Sequence, residues 1–327
     1  MEKPKVFLTR CIAEPAMQRL YQAVDLEVWE DENPPSHAVL LAKASQIDGL
    51  ITLLTDPIDR PVLEALAKKG KVISQMAVGF DNIDIATATR LGIPVGNTPG
   101  VLTETTADFA WALIMAASRR VVEADQEVHR GVWRHWGPGI LLGLELTGAA
   151  LGIIGFGRIG QAVARRAAGF NMRVLYSNPH RHQELEQSLG VTYTSLDDLL
   201  AQSDIVTIHS YLSPETRHLF GRSNFEKMKP GAILINTARG QIIDPQDLLW
   251  ALEQKKIGAA ALDVFEPEPI PAGHPLLSMP NVIVTPHIAS ATTQTRQRMA
   301  IMAVENLLAG LKGERLPYCA NPQVYTE

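Results

Sequence analysis

Short apolar runs alternate with segments of helical periodicity along the first hundred residues. Strands are predicted at Lys5–Thr9, Gly49–Leu54, Val72–Met76 and Ile93–Val95. Helices are predicted at Pro15–Ala23, Pro61–Ala67 and Ile85–Leu91. Because strands and helices alternate, this part of the chain is expected to form a doubly wound parallel sheet.

A second series of strands begins after a change of pattern in mid-chain. Leu102–Val122 predicts one long helix with Thr103 as its N-cap, and Val132–Leu146 is irregular and rich in Gly and Trp. The strands predicted next are Ala149–Ile154, Arg173–Tyr176, Ile205–His209, Ala232–Asn236, Ala259–Val264 and Val282–Thr285. A helix over Thr293–Leu311 is predicted to close the chain. The fold class is therefore α/β, with two Rossmann-like doubly wound parallel-sheet domains.

Composition and charge narrow the classes of partner. The net charge of −5 and the pI near 6.0 argue against nucleic acid, which attracts basic surfaces. No apolar run approaches the roughly 18 residues of a membrane span, and the start of the chain does not resemble a signal peptide. A cytoplasmic location is expected. Cys11 and Cys319 are interpreted as separate thiols, with a disulfide as the alternative.

A glycine motif follows the first strand of the second series. Gly155, Gly157 and Gly160 stand in the pattern GxGxxG, between an apolar strand and the strong helical segment that begins at Gln161. The first glycine permits a tight turn, the second admits a pyrophosphate, and the third lets the helix pack on the strand. The motif predicts a bound dinucleotide. Its position in mid-chain requires another domain upstream, so the substrate cleft is expected between the two domains.

The end of the next strand bears on which dinucleotide is bound. NAD enzymes place an acid here to bind the ribose hydroxyls, but no acid occurs between Tyr176 and Glu184. Ser177, Asn178 and Arg181 instead offer donors that suit a 2′-phosphate. The sequence favours NADP(H), with NAD(H) as an alternative; a solvated basic turn is the competing interpretation. No metal is expected, because no Cys or acidic cluster accompanies the two histidines of this turn.

Polar residues end three late strands, where open α/β sheets bind ligands. Arg239 follows one strand, Glu266 and Glu268 come shortly after another, and His287 ends the last. A 2-keto acid reductase needs a guanidinium for the carboxylate, a proton donor near neutral pH, and an acid that keeps this donor protonated. Arg239, His287 and the two glutamates supply these three groups.

The whole chain resembles the D-2-hydroxyacid dehydrogenase family. The matching stretches are Val78–Asp84, Asn97–Pro99, Thr105–Asp108 and Pro286–Ser290. Within the family, the segment Glu266–His274, the segment Pro286–Thr292 and the ending Asn306–Gly310 look most like those of glyoxylate/hydroxypyruvate reductases.

The resemblance implies roles for single residues. Arg239 would bind the substrate carboxylate and carbonyl, His287 would be the acid/base, and Glu268 its partner. Val78 and Gly79 would offer backbone amides to the carboxylate, and Ser290 matches a substrate-side position. Cofactor-contact positions are matched by Thr106, Arg158, Ile159, Thr237 and Asp263.

The resemblance also implies an organisation. Residues 1–102 with 290–327 would form a flavodoxin-like substrate domain, and residues 103–289 the dinucleotide-binding Rossmann domain. The long helices around 103–120 and 293–311 would be the crossings between the domains, and the assembly would be a homodimer. The expected reaction is NAD(P)H-dependent reduction of a small 2-keto acid, glyoxylate or hydroxypyruvate, to the D-2-hydroxy acid.

Alternatives stay open at this stage. Phosphite dehydrogenases have a lysine where this chain has Val78, and formate dehydrogenases lack an acid equivalent to Glu268. Phosphoglycerate dehydrogenase, another D-2-hydroxyacid dehydrogenase and a dinucleotide-sensing corepressor-like scaffold are the remaining hypotheses. Trp133 and Trp136 are interpreted as structural, at a subunit interface or the mouth of the substrate site. Tyr211 replaces a proline that many relatives have.

Overall fold

The computed structural model describes residues 2–326, which form two compact units. One unit ends at Leu102 and resumes at Ala291, and the other runs from Thr103 to Ser290. The chain thus leaves the first unit where α5, described below, begins, and it returns to that unit just before the C-terminal helix.

The first unit is built on a five-stranded parallel sheet. Its strands are β1 (Lys5–Leu8), β2 (Asp25–Val28), β3 (Gly49–Thr52), β4 (Val72–Gln75) and β5 (Val95–Gly96). The helices between them are α1 (Glu14–Ala23), α2 (His37–Ala44), α3 (Arg60–Leu66) and α4 (Ile85–Arg90). The strand order β2-β1-β3-β4-β5 is that of flavodoxin-like sheets, as the parallel α/β prediction requires.

The second unit contains a seven-stranded parallel sheet. Its strands are β6 (Ala150–Ile154), β7 (Arg173–Ser177), β8 (Val191–Tyr193), β9 (Ile205–Ile208), β10 (Ile233–Asn236), β11 (Ala259–Leu262) and β12 (Val282–Val284). Its helices are α5 (Thr103–Ser118), α6 (Val121–His129), α7 (Arg158–Ala167), α8 (Gln183–Leu189), α9 (Leu196–Gln202), α10 (Arg222–Phe225) and α11 (Pro245–Glu253). The last helix, α12 (Thr293–Leu311), belongs to the first unit.

The order of the second sheet places the binding edge. It reads β12-β11-β10-β9-β6-β7-β8, so the order reverses between β6 and β9. Open α/β sheets bind ligands at the carboxyl ends of the strands beside such a reversal. The strands are apolar on both faces because both faces are covered: Ile153 packs in one core cluster and Ile154 in another.

The helix predicted over Leu102–Val122 is present over most of that range, but its last four residues do not continue it. The helix ends at Ser118, whose carbonyl accepts the Leu144 amide at 2.8 Å, and Arg120 takes a left-handed conformation with φ 52°. A separate helix, α6, starts at Val121. The sequence could not show this break, because it depends on a hydrogen bond from Leu144, 26 residues further along the chain, to the Ser118 carbonyl.

Two strands were not predicted, and one is shorter than predicted. β2 is a four-residue edge strand of partly exposed residues, and β8 has only three residues, so neither shows a strong apolar run. The predicted strand at Ile93–Val95 is reduced to Val95–Gly96. Across residues 2–326, none of the helices combines the length and apolar character needed to cross a membrane.

Candidate active site

The glycine loop joins β6 to α7, and each glycine has a distinct environment. Gly155 has φ +87°, and a Cβ there would lie 2.5 Å from the Ser210 amide nitrogen. A Cβ at Gly160 would lie 2.3 Å from the Gly155 carbonyl oxygen, whereas a Cβ at Gly157 would meet nothing within 4 Å. Gly155 and Gly160 therefore serve the packing of the turn, and Gly157 leaves open space beside the backbone.

The start of α7 offers unpaired amides to that space. Within the described chain, the backbone N–H groups of Gly157, Arg158 and Ile159 donate no hydrogen bond, and the first helical bond is from Gln161 to Gly157. Such amides, at the positive end of a helix dipole, bind phosphate. Arg158 is exposed, and Ile159 is half-buried.

Two buried hydroxyls lie beyond the adjoining strands. Ser210 follows β9 and Thr237 follows β10, and both side-chain oxygens are buried with no hydrogen-bond partner among residues 2–326. A buried polar atom without a partner is costly unless a ligand or water satisfies it. Together with the open space at Gly157 and the unpaired amides, these oxygens fit a bound dinucleotide. Thr237 was predicted, whereas Ser210 was not and is recognisable only from its place at a strand end.

The turn after β7 is structured by its own side chains. Asn178 Oδ1 accepts the Phe156 amide at 3.1 Å, and its Nδ2 donates to the His180 carbonyl at 2.8 Å. Ser177 is half-buried at the strand end. Arg181, in contrast, forms a two-pronged ion pair with Glu186, with Nε–Oε1 2.8 Å and Nη2–Oε2 2.7 Å. Two of the three predicted residues thus border the glycine loop, while the third is paired with a carboxylate.

The predicted catalytic residues come together beyond β10, β11 and β12. His287 Nδ1 lies 2.5 Å from Glu268 Oε1. Burial by itself raises the pKa of Glu268, but the hydrogen bond and charge of His287, the Phe265 amide and the charge of Arg239 together hold this pKa below its usual value. Glu268 is therefore an anion, and its contact with Nδ1 fixes the orientation of the His287 ring.

Arg239 lies near this pair, on a loop that packs tightly against the backbone of Phe265. It is half-buried, and its Nη1 donates to the Ala238 carbonyl at 2.7 Å. The next residue, Gly240, lies against the Phe265 backbone, which a Cβ would approach to 2.0 Å. A side chain at Gly240 would push the Arg239 loop away from the segment that carries Glu268.

Asp263 is fully buried at the end of β11 and holds the turn that carries His287. Its Oδ1 accepts the Thr285 hydroxyl at 2.7 Å and the Ile288 amide at 2.9 Å, and its Oδ2 accepts the Ala289 amide at 2.8 Å. Its backbone carbonyl accepts the His287 amide at 2.9 Å. His287 has φ 54°, a conformation that these bonds stabilise. Both carboxylate oxygens thus have protein partners, and half-buried Ser290 follows directly.

His209 does not have the features of an acid/base. Burial lowers its pKa to about 3, so the imidazole is neutral at physiological pH. Its Nε2 lies 2.9 Å from the Thr207 hydroxyl, and its amide donates to the Ile154 carbonyl at 2.7 Å. These contacts fit a packing role for His209.

In the first unit, a loop after β4 carries Val78 and Gly79. Neither amide donates a hydrogen bond within the described residues, while both carbonyls are held: Asn97 Nδ2 donates to Val78 at 2.9 Å and Gln75 Nε2 to Gly79 at 3.3 Å. The Asn97 carbonyl in turn accepts Asn306 Nδ2 at 2.9 Å. Hydrogen bonds to the carbonyls hold the loop in place, and its amides are available to bind an anion. Sequence reasoning missed these buried amide side chains, because their role depends on contacts between β4, β5 and α12.

The remaining predicted position is Thr106, which is buried on α5 near the start of the helix. Within residues 2–326, no cluster of three His, Cys, Asp or Glu side chains is arranged as a metal site.

Comparison with known proteins identifies relatives over the whole chain. Residues 111–289 match the family described as D-isomer specific 2-hydroxyacid dehydrogenase, NAD binding domain. A glyoxylate reductase from Aeropyrum pernix is 52% identical over 99% of this chain and 98% of its own, and one from Korarchaeum cryptofilum is 51% identical over 98% and 97%.

Solved structures of similar proteins match the fold of this chain over nearly its full length. A protein from Thermus thermophilus has a TM-score of 0.90 at 44% identity, covering 97% of this chain and 99% of its own. An NADPH-dependent glyoxylate/hydroxypyruvate reductase from Sinorhizobium meliloti, in complex with NADP and malonate, has a TM-score of 0.86 at 30% identity, covering 99% and 98%. The chain belongs to the D-isomer-specific 2-hydroxyacid dehydrogenase family.

Proposed function

We propose that this protein reduces small 2-keto acids, foremost glyoxylate and hydroxypyruvate, to the corresponding 2-hydroxy acids with NAD(P)H. The observation that carries the proposal is the His287–Glu268 pair at 2.5 Å, with the charge of Arg239 beside it, at the sheet edge that also presents the glycine loop. The relatives named glyoxylate reductase, similar over nearly the full chain, support the substrate class.

The residues divide the chemistry among them. The nicotinamide, when bound, supplies a hydride to the keto carbon. His287 donates its Nε2 proton to the keto oxygen, and Glu268 stabilises the imidazolium before the transfer and orients the ring. Arg239 binds the carboxylate and, with His287, stabilises the negative charge that develops on the keto oxygen. By the family resemblance, Val78 and Gly79 are proposed to offer their backbone amides to a substrate carboxylate. After transfer, the imidazole is neutral and takes up a proton from solvent.

The test is direct. Oxidation of NADPH and of NADH is followed with glyoxylate, hydroxypyruvate, pyruvate and larger 2-keto acids, and His287→Gln serves as a control that binds dinucleotide but lacks the proton donor. We expect turnover to be greatest with glyoxylate and hydroxypyruvate. If neither glyoxylate nor hydroxypyruvate oxidises either cofactor, the proposal fails.

For the cofactor, we favour NADP(H), with NAD(H) as a second substrate. Ser177 and Asn178 stand where a carboxylate would repel a 2′-phosphate. Asn178→Asp should move the preference toward NADH by about tenfold or more in kcat/KM, since the new charge opposes the phosphate while its oxygen can still accept the Phe156 amide. An unchanged ratio would show that this turn does not read the 2′-phosphate.

For assembly, we propose a homodimer formed through the second unit. A surface here called the 115–142 apolar surface exposes Met115, Val121, Val128, Val132, Trp133, Trp136, Ile140 and Leu142. Trp136 is 80% exposed and Trp133 60%, which is costly for large apolar side chains in a monomer. A groove of about 420 Å³, lined in part by Leu142 and Leu144, adjoins it. Aromatic side chains of this kind dominate the core of protein interfaces.

A further inference from the structure

The guanidinium of Arg181 is engaged on the turn that follows β7. Its Nε and Nη2 each donate to a different oxygen of Glu186, at 2.8 Å and 2.7 Å. A fork of this kind is the strongest geometry for an arginine–carboxylate pair, and it uses the same two donors that would bind a phosphate. Any phosphate at this turn must therefore compete with a carboxylate already in place.

The carboxylate is fixed more firmly than the arginine. Glu186 has 14% of its side chain exposed, against 52% for Arg181. The Tyr176 hydroxyl donates to Glu186 Oε1 at 2.8 Å and accepts the His182 amide at 2.8 Å. Arg181 also lies over the Tyr193 ring, 5.6 Å from its centroid. An isolated exposed ion pair is weak, but this network holds the acceptor in place on α8.

The same network borders the dinucleotide loop. The Tyr176 ring stacks on Phe156 of the glycine motif, with centroids 4.1 Å apart. Asn178, on the same turn as Arg181, accepts the Phe156 amide. The Arg181–Glu186 pair therefore lies on the turn that would meet the 2′ position of the adenosine ribose, and it brings an anion to a place where the sequence shows only neutral and basic residues.

We propose that Glu186 is a specificity-determining residue: by holding the fork of Arg181, it withholds this arginine from a 2′-phosphate and keeps the preference between NADP(H) and NAD(H) small. The inference rests on the proposed dinucleotide site. Glu186 acts through Arg181, whose Nε and Nη2 donors it occupies, and Ser177 and Asn178 stand on the same turn.

The test measures binding of NADP⁺ and NAD⁺ by calorimetry, without a keto acid. Glu186→Gln should strengthen NADP⁺ binding by about tenfold and leave NAD⁺ within about twofold, because only the 2′-phosphate gains a cation. Glu64→Gln is the matched control. It removes the same charge from an exposed arginine pair, Arg60–Glu64 at 2.6 Å in the other unit, and should change neither constant.

A second variant keeps the test independent of how well Glu186→Gln folds. Arg181→Gln alone, a change at a half-exposed side chain, should alter NADP⁺ binding by less than about twofold, because the arginine is already occupied. Combined with Glu186→Gln, it should abolish the gain.

Two results would overturn the inference: a loss of NADP⁺ affinity of about tenfold in Arg181→Gln alone, or an unchanged NADP⁺/NAD⁺ ratio in a folded Glu186→Gln. If the unaltered protein binds neither nucleotide, the proposed function itself fails. If it binds both but turns over no keto acid, only the substrate assignment fails, and the binding comparison stands.

Discussion

At the edge of the second sheet, the residues proposed to act on the substrate are held in place by particular neighbouring residues. Arg239 depends on Gly240, because the loop lies against the Phe265 backbone with no room for a Cβ. His287 depends on Asp263, which takes three hydrogen bonds from the surrounding turn. The acid/base and the carboxylate fork are therefore held by neighbours that need not touch the substrate.

At Arg239, truncation tests the carboxylate fork. Arg239→Ala should lower kcat/KM for glyoxylate by about a hundredfold or more, a cost of roughly 3 kcal/mol, because a charge-assisted pair is removed from the reacting acid. Arg239→Lys keeps the charge but not the fork, and should recover only part of the loss. Steady-state kinetics decide the matter, and a near-normal kcat/KM in the alanine variant would remove Arg239 from the mechanism.

The family resemblance implies a cofactor contact for Asp263, whereas the structure shows its carboxylate bonded to the turn that carries His287. Its oxygens hold the His287 turn, so Asp263→Asn should lower kcat by about tenfold or more, since an amide cannot accept from all three donors. The Kd of NADP⁺ should change by less than about threefold. Thr285→Val, which removes one donor, should show a smaller loss of the same kind. A large rise in Kd with kcat intact would instead support the direct cofactor contact expected from the family resemblance.

The residues of the candidate site follow the carboxyl ends of the strands of the second sheet. The carboxyl ends of β9, β10, β11 and β12 carry Ser210, Thr237, Asp263 and the His287 turn, because every strand of the sheet is parallel. In the first unit, β4 and β5 place the buried amide side chains of Gln75 and Asn97 beneath the Val78–Gly79 loop. The parallel arrangement of the strands thus brings residues that are distant in sequence to the same edge of a sheet.

The loop after β4 gives an element-scale prediction. Asn97→Ala removes the bond to the Val78 carbonyl and should raise KM for glyoxylate by about tenfold, with kcat and the Kd of NADP⁺ nearly unchanged. Asn224→Ala is the control, since Asn224 makes a comparable bond to the Leu219 carbonyl at 2.6 Å in the other unit. Equal effects of the two variants on KM would show that Asn97 serves only stability.

The ends of β6 and β9 give a prediction about pH. Burial raises the pKa of Asp204, but the Ala150 amide, the Lys229 ammonium and the charge of Arg173 outweigh it and hold the pKa below its usual value. A depressed carboxyl pKa stabilises the fold above the unfolded pKa of about 3.9, and this stability is lost as pH falls through the folded value. Asp204→Asn should lower Tm at pH 7 by an amount that shrinks below about pH 4. A difference in Tm that is constant with pH would contradict this.

At the scale of the whole molecule, the 115–142 apolar surface is the proposed dimer interface. Replacing Trp133 and Trp136 together by serine should weaken the proposed dimer by about a hundredfold or more, because exposed aromatic side chains act as anchors at interfaces. Sedimentation over a range of concentrations measures this, with Tyr211→Ser as a control at another exposed aromatic. An unaltered protein that sediments as a monomer at high concentration would refute the proposal.

Much of the fold was predictable because most strands and helices form where the hydrophobic periodicity of the sequence predicts them. The apolar strands and the long C-terminal helix follow from periodicity, and α12 begins and ends where the pattern predicts. The break at Ser118 was not predictable, because it depends on the Leu144 amide reaching a distant carbonyl. The pairing of Arg181 with Glu186 escaped for a related reason: the sequence shows a basic turn, and only the position of α8 supplies the acid.

The sequence by itself determined the α/β class and the glycine loop, whereas the three residues expected to act on the substrate were predicted with the help of the family resemblance. It could determine the class and the loop because each depends on residue type and order along one strand, turn and helix. Only the tertiary structure decided what those residues touch: that Glu268 pairs with His287, that Asp263 holds the His287 turn, and that Arg181 is bound to Glu186. Such contacts join elements far apart in the chain, and the packing of the elements creates them.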